Sequence, residues 1–425
     1  MSKTFASLAV PNYRWFAAGA LVSNVGTWMG RTAQDWLVLT ELTDGSASAL
    51  GIITGLQFLP LPFLAPYAGL IADRVSKKRL LIVTQVLMAV TGLTLWLLVA
   101  TDVAVLWHAY LLAFLQGVVV SFDNPARQAF VNELVGPGLV ANAVGLNSAS
   151  FNAARLLGPA VAGLVIGGWG VAPALLVNSL SFVGVLMGLL MIRDDQLLLN
   201  PKSKNRGTVR EGVAYVRSRP DLLLIFVIVF MLGTFGMNFQ ITIALMATQV
   251  YDKGAEEYGL LGSLMAVGTL AGALLSARRG RPRLRILLGA LGLFSLFCLL
   301  AGLAPSYTLF GLALIPCGLF ALTVMTTANS TVQLSTAPEF RGRVMALYMA
   351  IFMGGTPLGA PVVGWVGDVL GPRWTLLVGA LACGLTFLGV GLFLVTYRGL
   401  RARLRLRWPL RLDVYKAGED PEPGR

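Results

Sequence analysis

Residues Leu80–Thr101 read LLIVTQVLMAVTGLTLWLLVAT, with no charge, between the basic run Lys77-Lys78-Arg79 and the acid Asp102. A helix that crosses a membrane needs about 20 mostly apolar residues, because the hydrocarbon core is about 30 Å thick and each residue rises about 1.5 Å. This stretch meets that length, and its two flanks differ in sign. Both features recur along the chain. Charge-free windows run Ser46–Ala72, Val103–Phe122, Leu222–Tyr251, Tyr258–Ala277, Val344–Gly367 and Trp374–Tyr397. Leu156–Ile192 is too long for one crossing and breaks at Gly167-Gly168-Trp169-Gly170 and Pro173. Ile286–Pro338 is also double, with its turn at Ala304-Pro305-Ser306. The first span, from about Tyr13 to Thr40, is interrupted by Arg31 and Asp35, and the fifth, from about Leu139, carries Arg155. The pattern predicts an all-α membrane protein of twelve transmembrane helices. Long continuous runs exclude a β-barrel, whose strands are short and alternating.

Composition agrees. Of 425 residues, 56% are hydrophobic and 12% charged, with a mean hydropathy of +0.74, which excludes a water-soluble globule. The first apolar stretch is long and lacks a small-residue cleavage site after a short apolar core, so a cleaved signal peptide is not expected. The net charge of +13 would suit a nucleic-acid partner if it were gathered in one domain. It is not. Of the 33 Lys and Arg, 29 fall on alternate connections together with the N-terminus and the tail. The opposite connections hold only Lys253 and Arg373, beside seven acids: Glu41, Asp44, Asp102, Asp252, Glu256, Glu257 and Asp368. Cytoplasmic loops collect Lys and Arg, so the chain is expected to be a multi-pass plasma-membrane protein with both termini cytoplasmic, and no nucleic-acid partner.

Enzyme chemistry has no candidate site. Cys298, Cys317 and Cys383 lie within spans at no metal-ligand spacing, and His108 is the only histidine. There is no HExxH, no GK[ST] and no GxSxG. No metal, cofactor or enzymatic activity is expected.

The chain divides in two. Residues 1–192 hold six spans, 193–220 form a polar linker rich in basic residues, 221–398 hold six more, and 399–425 form a basic tail. The halves echo each other: Leu157-Gly158-Pro159-Ala160-Val161-Ala162-Gly163 matches Leu358-Gly359-Ala360-Pro361-Val362-Val363-Gly364 at an offset of 201, which Gly170 and Gly371 keep. Two repeated six-helix bundles joined by a linker are the architecture of an alternating-access carrier. GxxxG spacings at Gly26/Gly30, Gly51/Gly55, Gly184/Gly188 and Gly268/Gly272 suit close helix packing.

At this point the residues resemble a known family. Gly69-Leu70-Ile71-Ala72-Asp73-Arg74-Val75-Ser76-Lys77-Lys78-Arg79 resembles the G-x-L-A-D-R-x-x-R-[KR]-R loop of the major facilitator superfamily. Ala154-Arg155-Leu156-Leu157-Gly158-Pro159-Ala160-Val161-Ala162-Gly163 is similar to the fifth-helix motif of its antiporters, with Ala in place of two glycines. Asn12-Tyr13-Arg14, Ser23-Asn24-Val25-Gly26-Thr27-Trp28, Pro125-Ala126-Arg127-Gln128-Ala129 and Arg341-Gly342-Arg343-Val344-Met345 resemble the branch that contains enterobactin and macrolide exporters. The resemblance implies the major facilitator fold and export of drugs or siderophores. It also implies that Gly158, Pro159 and Gly163 seal the cavity and that Gly69, Asp73 and Arg74 form a gate, with Arg127 the partner expected for Asp73.

The charges inside spans are the sharpest candidates. Asp35 shares a stripe of the first helix with Asn24, Trp28 and Arg31, at spacings of 4, 3 and 4. A carboxylate is costly to keep charged in a low-dielectric cavity, so Asp35 can carry a coupling proton with Arg31 competing for it. The alternative is an Arg31–Asp35 ion pair. Arg155 must face the bundle interior, because an arginine facing lipid costs at least roughly 3 kcal/mol. It can contact cargo, hold Asp35 or Asp123, or clamp the first half. Gln57, Gln116, Asn152, Asn238 and Gln240 are candidate cavity residues, with Trp28, Phe58, Phe235 and Phe239 as an aromatic wall. Lys77, Lys78 and Arg79 are read as topology determinants, and the tail from Arg398 to Trp408 as lying on the inner lipid surface. The chain is therefore expected to be a monomeric, proton-coupled exporter of small amphiphilic molecules. Two other readings stand beside it: an importer or lipid carrier of the same fold, and a non-transporting membrane sensor or scaffold.

Overall fold

Proline, glycine and serine set the boundaries of the helices in the computed structural model, which describes residues 3–198, 209–278, 282–398, 400–405 and 411–416. Seven helices precede the linker: α1 (Pro11–Trp36), α2 (Ala47–Phe58), α3 (Pro60–Arg74), α4 (Lys77–Ala100), α5 (Leu106–Leu134), α6 (Val140–Trp169) and α7 (Val171–Leu190). The linker itself contains α8 (Val209–Arg217). Beyond it come α9 (Pro220–Met231), α10 (Phe239–Leu245), α11 (Ala255–Arg278), α12 (Leu284–Gly302), α13 (Tyr307–Ser335), α14 (Arg341–Leu370) and α15 (Pro372–Arg398). Pro11, Pro60 and Pro220 open helices at the first position, where a missing N–H costs nothing. Ser46, Ser76 and Ser306 cap α2, α4 and α13 by accepting from a backbone N–H three residues on. Gly170 and Gly371, the pair at the shared offset, both take a left-handed φ (84° and 100°) at the turns after α6 and α14. The sequence echo is thus one backbone requirement met twice.

Eleven stretches among the described residues are long and apolar enough to cross a membrane. The expected twelfth, α1, is not among them, since polar residues such as Asn24 and Gln34 join Arg31 and Asp35 in lowering its hydropathy, yet it packs along α6 and α7. α2 and α3 form one crossing, bent where Pro60 follows Leu59. Residues 220–250 form another, in which α9 and α10 are interrupted by π-helical turns at Leu232–Gly236 and Met246–Val250. A third π-helical turn, Leu37–Glu41, closes α1 directly after the Asp35-Trp36 pair. Such turns carry one residue too many for the α ladder and recur at functional sites.

Two sets of contacts organise the bundle. α1 packs on α7 and α6, α4 on α5 and α7, and α3 on α5; beyond the linker, α11 packs on α13, and α12 on α13 and α15. The two sets meet along two seams, α2 against α14 and α6 against α11. Glycine permits both: a Cβ on Gly51 or Gly364 would meet the backbone of Ala360 or Ala47, and one on Gly259 would meet the Pro159 carbonyl. The three cysteines are buried thiols, with the Cys298 and Cys317 sulfurs 3.7 Å apart between α12 and α13. In the tail, Leu400–Arg405 pairs antiparallel with Arg411–Lys416. The rest of the tail and residues 199–208 lie outside the described residues.

Candidate functional site

Call the end of the bundle that carries the acid-rich connections the acidic end, and the opposite one the basic end. Asp35 lies in the last turn of α1, towards the acidic end, and is 3% exposed. Its neighbour across the seam is Tyr258 in the first turns of α11, whose hydroxyl donates to Asp35 Oδ2 over a long 3.5 Å. Trp36 stacks on the same Tyr258 ring, with centroids 5.9 Å apart. No Arg31–Asp35 ion pair within 4.0 Å forms among the described residues. The ion-pair alternative for this spacing is therefore not what the structure holds.

Arg31 turns instead to aromatic faces, with its guanidinium carbon 5.3 Å from the Trp28 ring centre and 5.9 Å from that of Phe58. Arg155, on α6, reaches the same indole at 5.4 Å. Trp28 thus receives two cations, and its edge meets Phe151 at 5.7 Å. Arg155 does not bind Asp123, which lies towards the basic end among other partners.

A cavity opens here between four helices. Trp28, Thr32 and Asp35 of α1 face Arg155 and Pro159 of α6, with Phe239 and Gln240 of α10 and Tyr258 and Met265 of α11 opposite. Of the candidates read from sequence, Trp28, Asp35, Arg155, Phe239 and Gln240 come together in it, and Arg31 does not line it. Others lie elsewhere. Gln57 donates to Gln34 Oε1 at 3.1 Å, Asn24 to Ser150 at 3.5 Å, and Asn152 to the Ser148 carbonyl in its own helix. Asn238 donates to the Thr234 carbonyl at 2.7 Å, beside the π-helical turn of residues 232–236. Gln116 is half-buried on α5 and does not line the cavity. Sequence reasoning missed Tyr258 and Gln34. A tyrosine at the start of a span reads as an interfacial anchor, and a glutamine three residues from Arg31 is hidden by the louder charge.

The two ends of the seams are bonded differently. At the acidic end the bonds cross between the sets of helices. The Asp368 carboxylate at the end of α14 accepts from the Ala47 N–H at 2.7 Å, the Ser48 N–H at 2.9 Å and the Ser46 hydroxyl at 3.3 Å, so it caps the start of α2. Gln249 donates to the Gly45 carbonyl at 2.6 Å; nearer mid-span, Ser263 donates across the α6–α11 seam to that of Leu156 at 2.6 Å. Pro159 and Gly163 lie in this closure against Gly259, Gly262 and Glu256, and Gly158 lets α6 approach Trp28.

The bonds described at the basic end stay within one set. Asp123 is 3% exposed and accepts from Thr84 and Gln85, both at 2.7 Å, and from Arg127 Nε at 3.0 Å. Lys77 pairs with Glu133 at 2.7 Å and Lys78 with Asp194 at 2.7 Å, so these lysines tie helices as well as marking a face. Beyond the linker, Arg343 pairs with Glu211 of α8 at 2.7 Å, and Tyr215 of α8 stacks on Phe340. Arg74 is exposed at the end of α3, and Gly69 has open space around it. The side chain of Asp73 lies outside the described residues, so its expected partnership with Arg127 is not placed; Arg127 holds Asp123.

Comparison with known proteins gives a consistent picture. The family model described as transmembrane secretion effector matches residues 2–405. Among curated relatives, the staphyloferrin A transporter of Staphylococcus aureus is 22% identical over 84% of this chain and 90% of its own length. The macrolide efflux protein A of Streptococcus pyogenes is 24% identical over 81% and 86%, and the enterobactin exporter of Shigella boydii 25% identical over 86% and 84%. Among solved structures, a nucleoside transporter mutant superposes with a TM-score of 0.74 at 12% identity, covering 90% of this chain and 99% of its own. A bacterial homologue of the human lysosomal transporter Spinster, in an inward-facing and unoccupied conformation, gives 0.69 at 14% identity, over 91% and 95%. These relatives and fold neighbours are transporters, and the solved ones share the fold of this chain.

Proposed function

The chain belongs to the transmembrane secretion effector family of the major facilitator superfamily, and from that premise we propose that it is a proton-coupled exporter of small amphiphilic molecules that works by alternating access. Residues 1–192 and 221–398 are the two bodies that rock, and 193–220 is the tether between them. The basic end faces the cytoplasm across the plasma membrane, on the strength of the 29 cations collected there. With that orientation, the cross-bonded acidic end is the outer gate in its closed state.

One observation carries the reading. Asp35, unlike the span acids Asp123 and Glu133, which are held by Arg127 and Lys77, lines the cavity between the bodies and touches Tyr258 across the outer closure. A group so placed faces the cavity when the outer gate is shut and is uncovered when α1 and α11 part. Its proton state and the gate are therefore coupled, since any group bound differently in two states shifts the balance between them. The relatives named as a macrolide efflux protein and an enterobactin exporter support an outward cargo.

An efflux screen in an exporter-deficient bacterial host, run with and without a collapsed proton gradient, tests this. Wild type should lower cell content of at least one amphiphile only while the gradient stands, and Asp35→Asn should abolish that difference. Gradient-dependent accumulation inside cells would instead mark an importer. No movement across a broad panel would mark a sensor or scaffold.

A further inference from the structure

Three charges inside the spans lie near Trp28: Arg31 and Arg155 on its ring, and Asp35 two turns along α1. The helices beyond the linker add none, because the span interiors from Leu222 to Tyr397 hold no Asp, Glu, Lys or Arg apart from the residues at their connections. Asp35 and Arg155 line the cavity and Arg31 does not, so the excess of one positive charge lies around Trp28 at the cavity wall. Other acids are elsewhere. Asp123 is engaged by Thr84, Gln85 and Arg127. Glu256 of α11 packs beside Gly167, which is twelve residues from Arg155 and so about 18 Å along α6. Asp368 caps α2 at the acidic end.

Neither guanidinium is in an ion pair within 4.0 Å among the described residues. Contact with the one indole ring recovers for each cation less than an arginine costs inside a span. Two cations on one ring also repel each other. A carboxylate beside them would offset that repulsion and give the Arg155 fork a bidentate partner. A cationic cargo would meet the repulsion of both.

We propose that the cargo is an organic anion, a carboxylate-bearing amphiphile whose anionic group docks on Arg155 beside Trp28, with Arg31 on the same indole ring adding a second positive charge. Its apolar body lies along Phe239 and Met265, with Gln240 as a polar contact. This rests on the export reading and narrows it. Among amphiphiles, acidic chelators and carboxylate drugs fit, whereas amine-bearing drugs do not.

The test uses the full chain in lipid nanodiscs, titrated with two xanthene dyes of opposite charge, carboxyfluorescein and rhodamine 6G, followed by fluorescence polarisation. Wild type should bind carboxyfluorescein at least tenfold more tightly than rhodamine 6G. Arg155→Gln should lose at least tenfold in carboxyfluorescein affinity, Arg155→Lys only a few-fold, and Arg155→Glu should reverse the preference. Equal binding of the dyes, tighter binding of rhodamine 6G, no binding of carboxyfluorescein, or an Arg155→Gln variant that binds it as wild type does would each overturn the proposal. Efflux of the same dyes from preloaded cells separates the two readings. Anion-selective binding without gradient-dependent efflux retains this site and rejects export. Gradient-dependent efflux of rhodamine 6G, indifferent to Arg155→Gln, retains export and rejects this site.

Discussion

The acidic and basic ends of the molecule spend their polar bonds in opposite ways. At the acidic end, Asp368, Gln249 and Tyr258 bond across to the other set of helices. At the basic end, Asp123, Lys77 and Arg343 bond to helices on their own side. Cross-seam bonds must break for the bodies to part, and same-side bonds need not. Changes at the basic end should therefore cost the stability of one body, while changes at the acidic end should shift the balance between closed and open states.

The largest effect expected is at the basic end. Asp123→Ala leaves Arg127 buried beside Phe16 without its carboxylate, and removing one partner of a buried pair costs about 3–5 kcal/mol. A thermal melt of the purified protein should show a large fall in Tm. An unchanged melt with altered gating would break the comparison. Next comes Gly51→Val, which places a side chain against the Ala360 backbone in the α2–α14 seam. Overpacking of this kind costs about 1–3 kcal/mol, and here parting the bodies relieves it, so cysteine accessibility at the acidic end should rise. Asp368→Ala removes the cap on α2, a loss of about 0.5–2 kcal/mol. It should shift the closed-to-open ratio in the same direction, by up to about tenfold per 1.4 kcal/mol, with little change in Tm. The smallest is Glu211→Gln. Its pair with Arg343 is half open to solvent, so about 1 kcal/mol or less is at stake, and gating and melt should both stay near wild type.

Much of this was legible in the chain. Charge-free windows and their signed flanks locate the helices, because hydrocarbon length and the Lys/Arg bias act on local sequence. The Gly170/Gly371 echo works for the same reason: a left-handed turn is a local demand. α1 is less apolar than the other crossings because polar residues such as Asn24, Thr32 and Gln34 accompany Arg31 and Asp35 along it. The partners of those charges were less legible. Tyr258 lies 223 residues from Asp35, and nothing in either segment announces the other. Asp368 reads as one of seven acids on a face until the fold brings it to the Ala47 N–H. The three π-helical turns leave no apolar period to read, since each adds a residue to an otherwise continuous run.

Alternating access requires that the two ends move in opposite senses. Spin labels at the exposed Val103 and Leu303 span the acidic end, and labels at the exposed Gly138 and Glu339 span the basic end. Electron–electron resonance should then compare these distances in wild type and in Gly51→Val, with Gly259→Val as a second wedge at the other seam. The account predicts that both wedges lengthen the acidic-end distance and shorten the basic-end distance together. A lengthened acidic end with an unmoved basic end would mean local splaying of helices, and would contradict a carrier that rocks as two bodies.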